Sequence, residues 1–189
     1  MSILETLRVD LKSLDEGSTK MRFDLSDDYF NAIEEEEVSG GEVFVDVNFR
    51  RTQDLFTVDF HSEGTVKVTC DRCLDEMEQE IEADNRLIIK LGDMPAAASR
   101  SETQYSDDGE TMTVDKNSGI ADLSWFIYES IALSIPVKHV HAPGKCNAAM
   151  IETLESHKNG NQSAARSSED EDETIDPRWN ALKNIKFEN

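Results

Sequence analysis

Val43, Val45, Val47 and Phe49 alternate with Phe44, Asp46, Asn48 and Arg50, a two-residue period that places one apolar and one mostly polar face on an extended strand. The same period returns at Leu55 to Phe60 and Thr65 to Cys70, after short breaks at Arg51-Thr52-Gln53 and Ser62-Glu63-Gly64. Connections that short leave no room for a crossover, so these strands must run antiparallel. Glu76 to Ile81 and Arg86 to Leu91 extend the series, and Leu4 to Leu11 and Lys20 to Leu25 carry strand signals ahead of it. The expected fold is α+β, an antiparallel β-meander or small open barrel with a few packed helices and two flexible acidic or polar segments.

Three helices are expected. Ser26 or Asp27 caps a short one through "SDDYFNAIEEEE", with acids in its first turn, and Ser39-Gly40-Gly41 breaks it. A second begins at Asp122 and stops before Pro136. Leu123, Phe126, Ile127 and Ile131 line one face while Trp125, Tyr128 and Ala132 cover much of the rest, the pattern of a buried helix. The third follows Pro177, with Trp179, Leu182 and Ile185 on one side. The expected domains are therefore residues 1–155 with a flexible insertion at 95–118, an acidic disordered linker at 156–176, and a terminal helix at 177–189.

Charge narrows the function classes. The chain has 189 residues with 40 acids against 19 bases, a formal net charge of -21. Such a surface repels phosphate on approach and favours basic protein partners. Sequence-independent clamping of DNA or RNA is not expected on this ground. The N-terminus "MSILETLRVDLKSL" has no basic leader before an apolar run, and Leu123 to Val137 is interrupted by Glu129. No membrane span is expected. With 3 cysteines, an odd count, a disulfide framework is not expected either, and the expected location is the cytoplasm.

Cys70 and Cys73 form a Cys-x-x-Cys turn that holds two sulfurs roughly 3.5 Å apart, a spacing that suits one tetrahedral zinc. Further ligands would come from "KHVHAPGKC": Cys146 with His139 or His141. A zinc ribbon completes its set with a second Cys-x-x-Cys, and here Ala149 stands three residues after Cys146. Cys70, Cys73, Cys146 and His141 are thus the candidate metal ligands, yet the set looks incomplete and the expectation is a chain without zinc or any other cofactor. No phosphate-cradling glycine signature occurs, and carboxylates are too abundant for any pair to stand out. No catalytic residue is assigned and the chain is not expected to be an enzyme. Two stretches run against the acidity. Lys138 and Lys145 bracket an acid-free segment, and Arg178, Lys183 and Lys186 outnumber Glu188 near the end. These five bases are the candidate partner-binding residues.

"VTCDRCLDEMEQEIEAD", then "IADLSWFIYESIALSIPVKHVH" with a cysteine soon after, then "DPRWNALKNIK", together resemble the YceD family of large ribosomal RNA accumulation proteins. The family pattern is a C-x-R-C-L motif after a strand, an apolar helix ending in L-x-x-P, and a D-P-R-x-x-x-L terminus, and all three occur here in order. The resemblance implies a bacterial cytosolic factor needed for normal levels of large-subunit ribosomal RNA, and with no catalytic signature in the chain the expected role is non-enzymatic support of its accumulation or processing. It also implies that Cys70 and Cys73 match a first cysteine pair and Cys146 the first cysteine of a second. Ala149 and Met150 stand where the remaining cysteine would be. With the charge, the expected partner is a basic ribosomal protein or large-subunit precursor, with ribosomal RNA contacted indirectly. The rivals are a direct, structure-specific RNA binder using the two basic stretches, and a zinc-dependent hydrolase.

Overall fold

In the computed structural model, which describes residues 3–93, 103–105 and 111–165, the alternating runs form one mixed six-stranded sheet. The chain passes through a short strand β1 (Arg8–Asp10), then β2 (Gly17–Leu25), helix α1 (Asp27–Ile33) and three long strands. These are β3 (Gly40–Thr52), β4 (Leu55–Thr69) and β5 (Glu76–Gly92). There follow β6 (Thr103–Tyr105), β7 (Thr111–Asp115), β8 (Ile120–Asp122) and helix α2 (Ser124–Ser134). Helix α3 (Ala148–Ala165) lies in a second unit, Asn147–Asn189, distinct from the first, Met1–Cys146. The sheet order is β2-β3-β4-β5-β7-β6, and β1 pairs with β8 apart from it. The fold is α+β, and β2 to β5 form the expected antiparallel meander. The sheet departs from the purely antiparallel expectation at its far edge, where β7 joins β5 in parallel.

Leu55 to Phe60 and Thr65 to Cys70, expected as two antiparallel strands, are instead parts of one strand, as are Glu76 to Ile81 and Arg86 to Leu91; each pair of runs fuses because its parity agrees. On β4, Phe56, Val58 and Phe60 are buried, and beyond Ser62-Glu63-Gly64 so are Val66 and Val68. All are even-numbered, so a strand that runs straight through the apparent break keeps its apolar face on the core, with Ser62 also buried in line. β5 does likewise with Ile81, Leu87 and Ile89. Gly64 permits the close approach of β3 to β4 at this point: a Cβ there would fall 2.2 Å from the Glu42 carbonyl oxygen, at φ +157.

Three further expectations need correction. The N-terminal strand over Leu4 to Leu11 is mostly two 3-10 turns, Ile3–Leu7 and Leu11–Ser13, with three residues of strand between them. The Asp10 side chain starts the second turn by accepting from the Lys12 N–H at 2.9 Å. The insertion at 95–118 contains β6 and β7, and Met112 and Val114 of β7 are fully buried. Two alternating apolar residues beside a ready sheet edge suffice for a strand, although their polar flanks obscure them in the sequence. The linker expected from residue 156 begins inside α3, which starts with Asn147 Oδ1 accepting from the Ala149 N–H at 3.1 Å and runs to Ala165. The rest of that linker, the terminal helix 177–189 and residues 95–102 and 106–110 of the insertion lie outside the described residues.

Both helices of the first unit pack with the core. Phe126 of α2 meets Phe60 of β4 with ring centroids 4.9 Å apart, and Asn85 of β5 donates to Ser130 Oγ. Tyr29 of α1, fully buried, donates its hydroxyl to the Ser124 carbonyl at 2.7 Å and ties the two helices together. Leu123, Ile127 and Ile131 are buried as expected, but Trp125 is 46% exposed and Leu133 81%. The helix is therefore one-sided rather than enclosed, because it lies on the sheet and no described element covers its outer side. The even-numbered residues of β5 are left on the opposite, solvent-facing side of the sheet.

The tight β3–β4 crossing should be intolerant of any side chain. Gly64→Ala is expected to cost at least about 3 kcal/mol, since backbone on both strands would have to move. Gly17→Ala, at φ +113 with nothing within 4 Å, should cost only about 1–2 kcal/mol for its backbone conformation. Urea denaturation of the two variants checks this, and equal losses would refute the crossing as the cause.

Candidate metal centre

The hairpin joining β4 to β5 turns on the cysteine pair. The Cys70 N–H donates to the Asp75 carbonyl at 2.9 Å, closing the ladder, and the Leu74 N–H donates back to the Cys70 carbonyl at 3.0 Å. Leu74 is held at φ +62, a left-handed conformation that non-glycine residues adopt at a cost, and its side chain is 66% exposed. This tight turn drives both thiols inward, and Cys70 and Cys73 are buried to 0% and 1%.

A second arm meets the turn from the end of α2. Pro136 prevents the helix from continuing, and residues 135–146 contain neither helix nor strand. Asp71 clamps this arm: its N–H donates to the His139 carbonyl at 3.0 Å, and its Oδ2 accepts from the His139 N–H at 2.8 Å. The His139 ring is occupied, with Nδ1 3.0 Å from the Pro136 carbonyl and Nε2 3.5 Å from Asp71 Oδ1. His141, two residues on, faces the cysteines instead, with Nδ1 3.3 Å from Cys73 Sγ. A turn at Gly144, φ +81, closed by the Lys145 N–H on the Ala142 carbonyl at 3.0 Å, then brings Cys146 in. The ligand atoms of Cys70, Cys73, His141 and Cys146 all lie within 4.8 Å of one another.

The local field favours a thiolate. Burial opposes ionisation of Cys70, but the backbone N–H groups of His141, Arg72 and Cys73, with the Cys73 thiol, bring its pKa down to about 6. Cys146 shifts the other way, raised by burial and then by the neighbouring Cys73 and Cys70 sulfurs. A cluster in which one thiol ionises at the expense of another is an electron-rich pocket suited to a soft cation.

The four candidate ligands read from the sequence are thus brought together, and of the two histidines the geometry selects His141. The candidate partner-binding residues do not converge in the same way. Lys138 and Lys145 are exposed on the arm that carries His141 and Cys146, whereas Arg178, Lys183 and Lys186 lie outside the described residues. A row of carboxylates went unremarked in the sequence. Glu76, Glu78, Glu80, Glu82 and Asp84 occupy successive exposed positions on one face of β5. Their strict alternation with Met77, Gln79, Ile81 and Ala83 was a readable signal.

The fold and the cluster define an acidic α+β protein whose one constellation of metal-ligating side chains, among the described residues, is closed by three cysteines and a histidine. A family model described as "Large ribosomal RNA subunit accumulation protein YceD" matches residues 58–186, and the chain belongs to that family. The match takes in β4, the cysteine turn, β5, α2 and the arm to Cys146, and it gives the chain a role in accumulation of large-subunit ribosomal RNA. No curated protein and no solved structure matches the chain. No described helix is long and apolar enough to cross a membrane.

Leu74 offers a direct check on the turn. Its side chain is largely in water and its backbone is left-handed, so Leu74→Gly should be neutral or stabilising by up to about 1 kcal/mol. A loss of stability in thermal unfolding would show that the leucine side chain, rather than the turn, holds the cysteines in place.

Proposed function

We propose that the chain is a non-enzymatic, cytoplasmic ribosome-biogenesis factor that binds a basic ribosomal protein, or a precursor particle bearing one, through the outer face of its sheet. The carrying observation is a like-charge pair that folding alone would avoid. Glu82 of β5, fourth in the carboxylate row, sits directly opposite Glu63 of β4, and both are exposed. Directly opposed like charges destabilise a sheet. A basic surface docked over them would remove that repulsion, so the cost in the free protein becomes a gain in the complex.

Other members of the face are already compensated. Lys67 lies across from Glu78 and ion-pairs with Asp27 at 3.0 Å, while Asp59 accepts from Arg86 at 2.6 Å and from Arg50 at 2.7 Å. His61 holds Asp84 at 2.9 Å and comes only to 4.0 Å from Glu63, so it offsets the Glu63–Glu82 repulsion in part and only while protonated. The bond to Asp84 raises the His61 pKa above its ordinary value, so this cation strengthens as pH falls and fades as pH rises through the raised value. The face is therefore more negative, and better matched to a basic partner, on the alkaline side of His61 titration. The cysteine–histidine cluster supports the non-enzymatic reading only in its composition: a metal held by all four of its side chains would keep no position for substrate or water, unlike a catalytic metal site.

Reversal of the central charges should separate stability from binding. Glu82→Lys is expected to leave the protein folded and slightly stabilised, by about 0.5 kcal/mol, as Glu63 gains an opposite charge. The Glu80→Lys/Glu82→Lys protein should nonetheless lose association with large-subunit precursor particles after nuclease treatment. Association that disappears with nuclease in the wild type and is untouched by the reversal would instead favour direct RNA contact through Lys138, Lys145 and the terminal bases.

A further inference from the structure

The arm from Ile135 to Cys146 is a physical problem for the fold. It has no helix or strand of its own, Val137 within it is fully exposed, and Lys138, Ala142, Pro143, Gly144 and Lys145 face solvent. Past the Ile135 N–H that caps α2 on the Ala132 carbonyl, its described backbone bonds to the rest of the unit are the Asp71–His139 pair and the His141 N–H to the Cys70 sulfur. Chain that buries so little apolar surface does not repay the entropy of being ordered. Yet this arm delivers a histidine and a cysteine to two thiols that are themselves wholly buried at the end of a hairpin.

We propose that Cys70, Cys73, His141 and Cys146 bind one zinc ion as a closed structural site that staples the arm to the tip of the β4–β5 hairpin. The donor set is three sulfurs and one imidazole nitrogen, the composition of tetrahedral structural zinc. A zinc tetrahedron with Zn–S bonds of about 2.3 Å has edges of roughly 3.8 Å. Ligand atoms that already lie within 4.8 Å of one another need to draw in by no more than about 1 Å. Cys73 and His141, 68 residues apart in the sequence, already stand 3.3 Å apart, so the fold has closed the long loop before any ion enters. The missing second Cys-x-x-Cys is no obstacle, because His141 supplies the fourth ligand from the other side of Cys146. His139 does not compete, as its ring is turned to Pro136 and Asp71. The site's role is independent of which partner the acidic face binds.

The test is metal content of the full-length chain, purified under reducing conditions without chelator and, in parallel, incubated with zinc and desalted. One zinc per chain is expected, absent from Cys146→Ser and from His141→Ala. Cobalt substituted for zinc should show the ligand-field bands of tetrahedral thiolate coordination. Removing zinc should increase hydrogen exchange in residues 135–146 while the centre of the β3–β4–β5 ladder stays protected. If the serine and alanine variants fail to fold, His141→Cys decides the matter. It must keep one metal per chain, with its cobalt bands shifted as a fourth thiolate replaces the imidazole. Wild-type protein that takes up no zinc after incubation overturns the proposal, as does zinc retained in full by folded Cys146→Ser and His141→Ala.

Discussion

The pairing of β4 with β5 is the constraint on which the other features depend. It runs unbroken from Leu55 opposite Lys90 to Thr69 opposite Glu76. Its register puts Phe56, Val58, Phe60, Val66 and Val68 on the same side as Ile81, Leu87 and Ile89, which makes the floor of the core. Helix α2 docks on that side through Phe126 and Ser130. The same register aligns the β5 carboxylates on the other side, and its closing turn is the cysteine loop. Shifting the pairing by one residue would send acids into the core and valines into water. Core, acidic face and cysteine turn therefore share one determinant.

Much of this was legible in the sequence, because period-two alternation is a direct consequence of strand geometry. Val43 to Phe49 are buried at every second position as expected, and the apolar face of α2 is Leu123, Ile127 and Ile131 as expected. What sequence could not settle was continuity. Ser62-Glu63-Gly64 has the composition of a turn, and only pairing with Ala83, Glu82 and Ile81 shows it to be strand. β7 was hidden for a related reason: Met112 and Val114 acquire their strand identity from the edge of β5, not from their neighbours. Helix α3 carries polar residues and a glycine, Gly160, that read as linker.

The cluster shows the complementary failure. All four residue types are identifiable in the sequence, but their convergence is not, because a pattern of two cysteine pairs has no place for His141. The approach of His141 and Cys146 to the buried thiols depends on three local facts that no spacing rule contains: Pro136 ending α2, Asp71 clamping His139, and a left-handed Gly144. With His139 anchored to Asp71, an extended step of two residues points His141 the same way, into the thiols. Alternation in a short irregular segment thus selects the ligand, by the same geometry that orders the strands.

The placement of these parts on one hairpin has a consequence for recognition. The first carboxylate of the exposed row, Glu76, follows directly after Asp75, whose carbonyl closes the cysteine turn on the Cys70 N–H. Ser39 Oγ donates to Glu76 at 2.8 Å and to the Lys67 carbonyl at 3.2 Å, so the edge of β3 is bound to the same end. A row of like charges strains the ladder that displays it, and strain on a hairpin is relieved most easily by fraying at its open or loosely turned end. With zinc at Cys70 and Cys73, that end is the one place where the ladder cannot open without breaking metal bonds. Under the proposed coordination, the ion lets a highly negative strand hold its register in the absence of a partner. The acidic face then meets a basic surface already ordered, and less of the interaction is lost to arranging it.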